Sequence, residues 1–501
     1  MGIVRKQSIL NLIISYTGVA IGFINVTKLF TLYFSKDEYG LKIAIGDASL
    51  ILSLFFSFGI NHLIIRYFPK IKDNIGEQKR FLILCFVSPL IIFTLTLSAY
   101  IPIISKIQSH YQENSPLFSA YSYFIFPLGI LMTYLHILSS ISIANFKSTF
   151  QNFLKDIVLR LAFTILIFLF GQKLISLKEF WIGINLTYIL MILLLLVSNI
   201  QLFKKTLKVK ASRRFNQFNM REMVFFMALS LFGPSIGILL SKLDIFMLMR
   251  YIPNGEQAIA VYGMSIYLLS ICDMPRKAVA NIVSPIIASN LSHNLPEVKK
   301  TLKNSSINLL LITGAIFSII LTNLDSFYLY IPKGSFYSLG FIPFIILGFG
   351  KLYECISGFV GEIINFSKFY WVNFVITILV FISAIIFNMI LIPKYGLNGA
   401  AFATLLSIIL SKTLKLFIVL WKFKITPFSK NYLSALLISC ATIAFAYFFS
   451  LSFSSIYLTV FVKTIIISGF FIACLLLFKP SKDIHQLQVV VIKEIKRRLS
   501  K

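Results

Sequence analysis

The chain has 501 residues, of which 58% are hydrophobic and only 13% charged, with a mean hydropathy of +0.87. A soluble globule of this length needs more polar surface than that, so the composition excludes one and points to a helical membrane protein. The formal net charge of +29 suggests nucleic acid, but the charges fall in short segments between long apolar runs, which is the pattern of membrane topology instead.

In chain order the apolar runs predict fourteen transmembrane helices, at roughly 8–34, 43–65, 81–104, 118–143, 157–172, 180–200, 223–249, 260–283, 305–324, 338–363, 370–391, 398–421, 433–450 and 458–478. The runs are continuous rather than alternating, which excludes a β-barrel. The first run is too long for a signal-peptide core and lacks a small-residue cleavage site, so it reads as a retained helix. Cys85, Cys272, Cys355, Cys440 and Cys474 all lie in apolar runs, with no CxxC pair. They are expected to be core residues, neither disulfides nor ligands.

An even count places both termini on one side. Thirty of the 47 basic residues fall in the N-terminus, the even-numbered loops and the tail, while eight fall in the odd-numbered loops, among them Lys36 and Lys42. By the positive-inside rule the termini are cytoplasmic. The longest and most basic loop, 201–222, follows the sixth span. It reads as a linker between an N-lobe (1–200) and a C-lobe (223–421), with two extra helices and a basic tail at 422–501. A basic loop of this kind also suits anionic lipid headgroups with no further role.

The halves carry traces of repetition. Thr27-Lys28-Leu29 in the first span matches Ser241-Lys242-Leu243 in the seventh, and Tyr39-Gly40 matches Tyr262-Gly263. Glu77-Gln78-Lys79-Arg80 after the second span matches Glu297-Val298-Lys299-Lys300 after the eighth. An offset of six spans preserves orientation, so the repeat is parallel, and two lobes around a central cavity are expected.

Charges within spans carry the functional expectation, since each is costly unless it meets water, a partner or a ligand. Arg160, Lys412, Lys415 and Lys463 lie where snorkelling or local pairing explains them. Lys28 and Lys242 lie about four or five residues from the outer ends of their spans, where snorkelling is one reading; their recurrence at matching depth favours the other, a cavity with the two facing each other across it. Asp244 lies about 200° round the helix from Lys242 and needs another partner. Asp273, Arg276 and Lys277 share one helical face, with Pro275 expected to kink the helix between them. They form either a self-neutralising cluster or a basic site for an anionic headgroup beside a titratable acid. Glu354, three residues from Lys351, reads as a local pair. The five histidines lack metal spacing, there is no Walker A sequence, and no outer loop is long enough for a catalytic domain. The protein is therefore expected to be a transporter rather than an enzyme, with no metal and no cofactor.

Several motifs resemble one family. The segment Pro393-Lys394-Tyr395-Gly396-Leu397-Asn398-Gly399-Ala400-Ala401-Phe402-Ala403-Thr404 is similar to the P-x-Y-G-x-x-G-A-A-x-A-T stretch at the start of span twelve in polysaccharide flippases. Those flippases are a branch of the multidrug/oligosaccharidyl-lipid/polysaccharide exporter superfamily. Lys36-Asp37-Glu38-Tyr39-Gly40 and Lys242-Leu243-Asp244 resemble two further family segments. The resemblance implies a twelve-helix, two-lobed core with two added helices, working by alternating access in a bacterial inner membrane. The implied cargo is an undecaprenyl-pyrophosphate-linked oligosaccharide, moved from the cytoplasmic to the periplasmic leaflet, as in lipopolysaccharide or other polysaccharide biosynthesis. Lys28, Lys242, Arg276 and Lys277 would then line a cationic cavity for the pyrophosphate, with Asp244, Asp273 and Glu354 as coupling or pairing acids. Coupling to a proton or sodium gradient or to the membrane potential is the expected energy source. Membrane lipids, a glycan polymerase and other assembly proteins are the expected partners, with no nucleic acid. A lipid II-type peptidoglycan precursor flippase and a drug/cation antiporter of the same fold are the alternatives.

Overall fold

The structure, a computed structural model, describes residues 2–480 except 99, 146, 213–214, 216–218 and 479, with the backbone alone given for 2–9, 12, 101 and 229–234. Arg213, Arg214, Lys479, Lys482, Lys493, Lys496, Arg497, Arg498 and Lys501, which contribute to the charge asymmetry above, lie outside the described residues.

The architecture is all-helical, with no strand among the described residues. Among those residues eleven helices are long and apolar enough to cross a membrane. One of them, Tyr370–Phe423, is two helices joined across a break at Gly396 (φ 58°, ψ −130°). The charged helix Met220–Tyr251 and the continuous helical run 148–171 lie outside those eleven, so the arrangement is consistent with fourteen spans.

The helices are labelled in chain order. Those packed in the first unit are α1 (Gly2–Ile24), α2 (Lys36–Ser57), α3 (Ile75–Ser98), α4 (Pro116–Ala144), α5 (Leu159–Gly171), α6 (Leu177–Ser198) and α7 (Met220–Tyr251). Next come α8 (Gly255–Asn290), α9 (Leu295–Thr322), α10 (Gly334–Ser357), α11 (Tyr370–Phe423), α12 (Lys430–Phe448) and α13 (Ile456–Phe478). By packing the chain forms two compact units, residues 1–260 with 331–333 and residues 261–330 with 334–501. The division falls inside α8, and α7 packs on α2 within the first unit.

Local chemistry explains where the elements start and stop. The sequence suggests an outer loop through Lys36 and Lys42, with the second span beginning at 43. In the structure only Phe34 and Ser35 connect the helices. Ser35 caps α2: its hydroxyl accepts from the Glu38 amide at 3.1 Å, and the Glu38 carboxylate accepts from the Ser35 amide at 2.7 Å. This reciprocal box satisfies two orphan donors and starts the helix at Lys36, ahead of the predicted span. At its far end α2 stops where Phe58 and Gly59 take left-handed conformations (φ 42° and 77°).

Two π-turns lie among the described residues of the first unit. One, Asn25–Leu29, extends α1; the other, Leu154–Val158, precedes α5. An inserted residue in a helix frees backbone groups, which then look for new partners. The Asn25 side-chain amide donates its N–H to the Arg160 backbone carbonyl at 3.0 Å, and the Thr164 hydroxyl donates to the Asn25 side-chain oxygen at 2.8 Å. Arg160 itself lies 3.9 Å from Asp156, one turn away. Asp156 accepts from Ser15 at 3.1 Å. A Cβ at Gly18 would meet the Asp156 carbonyl at 2.5 Å, so glycine allows α1 to approach this turn.

The turn between α7 and α8 is fastened to its own unit. Gly255 donates its amide to the Asn114 carbonyl at 2.7 Å, and the Asn114 side chain donates to the Arg250 carbonyl at 2.7 Å. Glu256, 1% exposed, accepts from the Phe118 amide at 2.9 Å in the first turn of α4. Gln257 donates to Asp37 at 3.2 Å. Gly40 lies against this turn so closely that a Cβ there would fall 1.9 Å from the Glu256 carbonyl oxygen.

Candidate functional site

The second unit holds the densest charge network among the described residues. It is built from three helices. On α8 a 3-10 turn at Ser270–Asp273 precedes a fresh helical start at Met274, with Pro275 in its first turn. The 3-10 turn ends at Asp273, so Asp273 and Arg276 lie on either side of the change in helix type. Asp273 turns to α10, where Lys351 contacts both of its oxygens at 2.9 Å. Arg276 reaches Glu354 on the same helix, at 3.8 Å from the carboxylate and 3.5 Å from the backbone carbonyl. Its guanidinium lies 5.8 Å from the centre of the Phe359 ring. Lys412, from the second half of α11, donates the shortest contact to Glu354, at 3.1 Å.

Glu354 is therefore the hub. Its carboxylate meets Lys412 and Arg276 on one oxygen and Lys351, at 3.9 Å, on the other. The five side chains are 15–28% exposed, so none of the charges is fully buried. Three cations face two carboxylates, so the network carries a surplus positive charge. Lys415 lies within electrostatic reach of Lys412, Arg276 and Glu354 in this network, and Glu362 within reach of Lys415. Lys277 is exposed and makes no ion pair among the described residues.

The sequence predicts part of this. It places Asp273, Arg276, Lys351 and Glu354 among the membrane charges, and the structure brings all four together. It assigns Lys412 to snorkelling or local pairing, and the structure makes it the nearest partner of Glu354. The available signal is the polar triplet Ser411-Lys412-Thr413 in an otherwise apolar run. Distance along the chain hides its neighbour on α10.

In the first unit, Lys242 on α7 pairs with Asp47 on α2 at 2.8 Å. Asp47 is absent from the membrane acids that the sequence singles out, although it lies inside the second predicted span. Lys42, on the same helix, is within electrostatic reach of both Asp47 and Lys242 and lies 5.2 Å from the centre of the Phe30 ring. Lys28 projects from the π-turn of α1 and is exposed. Lys28 and Lys242, expected to face each other from separate lobes, both belong to this one unit. Asp244 is 7% exposed.

Beside the network in the second unit runs an apolar cavity of about 640 Å³, lined by α9, α10, α11 and α12. Its walls include Phe317, Phe349, Leu352, Tyr353, Ile409 and Ile443. Leu352 and Tyr353 follow Lys351 and precede Glu354 along α10, so one helix serves both the charged and the apolar compartment.

No protein-family model matches the sequence, and no curated protein matches it. Solved structures do. The lipid II flippase MurJ in an inward closed conformation aligns over 93% of this chain and 100% of its own, with a TM-score of 0.69 at 18% identity. The chain shares the MurJ fold. A mutant of the Vibrio cholerae MATE transporter VcmN aligns over 85% of this chain and 98% of its own, with a TM-score of 0.57 at 12% identity. An inward-facing MATE transporter of the MOP superfamily gives 0.52 at 12% identity, over 83% and 98%. The all-helical fold expected from the sequence is thus shared with MurJ along nearly its whole length and with MATE transporters along most of it.

The glycines of the family-like motifs have architectural roles in this fold. Gly396 supplies the backbone conformation at the break in α11, which a side chain would strain. Gly399 passes so close to Leu391 that a Cβ would lie 2.1 Å from its carbonyl oxygen. Ala400, Ala401 and Ala403 are fully buried.

Proposed function

We propose that the protein is a flippase for a lipid-linked oligosaccharide carried on undecaprenyl pyrophosphate. It moves its cargo from the cytoplasmic to the periplasmic leaflet of a bacterial inner membrane by alternating access. The observation that carries this reading is the arrangement on α10. A partly exposed cluster with surplus positive charge and an apolar cavity share this helix. A cargo with a diphosphate head and a long hydrocarbon tail matches both compartments, the head through charge-assisted hydrogen bonds and the tail through burial. The fold shared with MurJ supports a lipid-type cargo. A drug/cation antiporter fits less well, because a cationic ligand meets repulsion at this cluster.

The MurJ fold also favours a second reading, in which the glycan is that of a peptidoglycan precursor. Both readings share the lipid carrier and differ only in the sugar. Two strains separate them. In a strain lacking its polysaccharide flippase, this chain is expected to restore surface glycan and relieve the accumulation of cytoplasmic-leaflet precursor. In a strain depleted of MurJ, it is expected not to restore growth. The opposite pair of results would replace the polysaccharide reading with the lipid II reading, and failure in both would remove the flippase reading.

A further inference from the structure

We propose that Glu354 is an internal stand-in for the diphosphate of the cargo. Its carboxylate holds the cations in the cargo-free state, and the incoming diphosphate displaces it. The inference rests on the cargo reading above and adds to it a residue that sets affinity and permits release.

The geometry carries the argument. Lys412, Arg276 and Lys351 converge on Glu354 from α11, α8 and α10. Only Lys412, at 3.1 Å, is within hydrogen-bonding distance of the carboxylate. Arg276 and Lys351 stand at 3.8 and 3.9 Å, too long for hydrogen bonds and short enough for attraction. One carboxylate cannot satisfy three cations, so Arg276 and Lys351 reach it by charge without hydrogen bonds; Arg276 donates instead to the Glu354 backbone carbonyl at 3.5 Å and Lys351 to Asp273 at 2.9 Å. Asp273 takes up part of the demand through Lys351, but neither Arg276 nor Lys412 has another acid within ion-pair distance among the described residues. A diphosphate brings more oxygens and more negative charge than one carboxylate. It can complete the hydrogen bonds that Glu354 leaves unmade, most of all the two parallel bonds a guanidinium offers. Once displaced, the Glu354 carboxylate stays beside the bound diphosphate and repels it. The same group that keeps the empty cluster together therefore lowers affinity enough for the cargo to leave.

The test is binding of two probes to the full chain in nanodiscs, inorganic pyrophosphate and farnesyl diphosphate. Glu354→Gln is expected to bind both about tenfold more tightly than wild type, with slower turnover in a flipping assay. Glu354→Asp, which keeps the charge, is expected to bind both probes more weakly than Glu354→Gln does. Lys412→Gln is expected to weaken both probes. Tighter binding of farnesyl diphosphate than of pyrophosphate indicates that the lipid-borne group is the ligand, and equal binding assigns the site to the free anion. If Glu354→Gln binds no more tightly than wild type while Lys412→Gln weakens binding, the stand-in role is overturned and the diphosphate site stands. If neither probe binds wild type or Glu354→Gln, the site and the cargo reading fall together.

Discussion

The residues that matter most here are defined by partners distant in sequence. Lys242 invites attention as a lone lysine in an apolar run, yet its meaning depends on Asp47, far away along the chain and 2.8 Å distant in space. Sequence spacing reveals pairs on one helix, such as Asp156 and Arg160, because helical periodicity fixes them. It is silent on pairs between helices, and so Lys412 reads as an anchor and Asp47 escapes notice. The Lys242–Asp47 pair gives a direct prediction. Asp47→Asn and Lys242→Gln are each expected to lower thermal stability in detergent, since each strands a partly buried charge. The double variant is expected to recover part of the loss, with a coupling energy of about 0.5–3 kcal/mol. Purely additive losses would mean the pair does not interact. At Gly396 the backbone angles alone predict that alanine costs about 1–3 kcal/mol, readable as a lower melting temperature. An unchanged melting temperature would show that the break tolerates a side chain.

At the scale of elements, the long apolar runs make the helices legible and the polar ends make their limits hard to place. The start of α2 lies in a charged stretch that reads as loop, and only the Ser35–Glu38 capping box identifies it as helix. The two π-turns leave no pattern in an apolar run, because one inserted residue barely alters hydropathy. The turn between α7 and α8 shows what an element boundary can do. Glu256 caps α4 across the unit and Gly40 makes room for the turn's backbone, so the chain is tied down at this point. Glu256→Ala removes the acceptor for the Phe118 amide and is expected to raise hydrogen exchange at residues 114–118 by about tenfold or more. Glu256→Gln keeps an acceptor and is expected to change exchange little. Equal exchange in Glu256→Ala and wild type would show that the turn is held by its other contacts.

For the whole molecule, the charge asymmetry of the loops predicts orientation, while the division into units depends on packing that no loop reveals. The most basic loop reads from sequence as the border between lobes. In the structure part of it is bound to the start of α3. Arg80 donates to the Ser212 carbonyl at 3.1 Å, Lys79 to the Leu207 carbonyl at 3.2 Å, and the Ser212 amide to the Gly76 carbonyl at 3.0 Å. Orientation is open to direct measurement. Single cysteines replacing Lys208 and Asn254 are expected to react with impermeant reagents from the cytoplasmic and outer sides respectively. Labelling of position 254 only from the cytoplasm would invert the assignment.

Lys463 bears on how the chain is assembled. It lies within α13, is 6% exposed, and donates to the Thr322 carbonyl at 3.1 Å, at the very end of α9. A lysine inside a lone helix entering the bilayer is costly unless it finds a partner or reaches the interface. The C-terminal end of α9, with its unpaired carbonyls and negative dipole, supplies the partner that offsets this cost. A helix synthesised late therefore depends on one synthesised much earlier already being in place. A chain with a misplaced α9 would leave the Lys463 ammonium without this carbonyl.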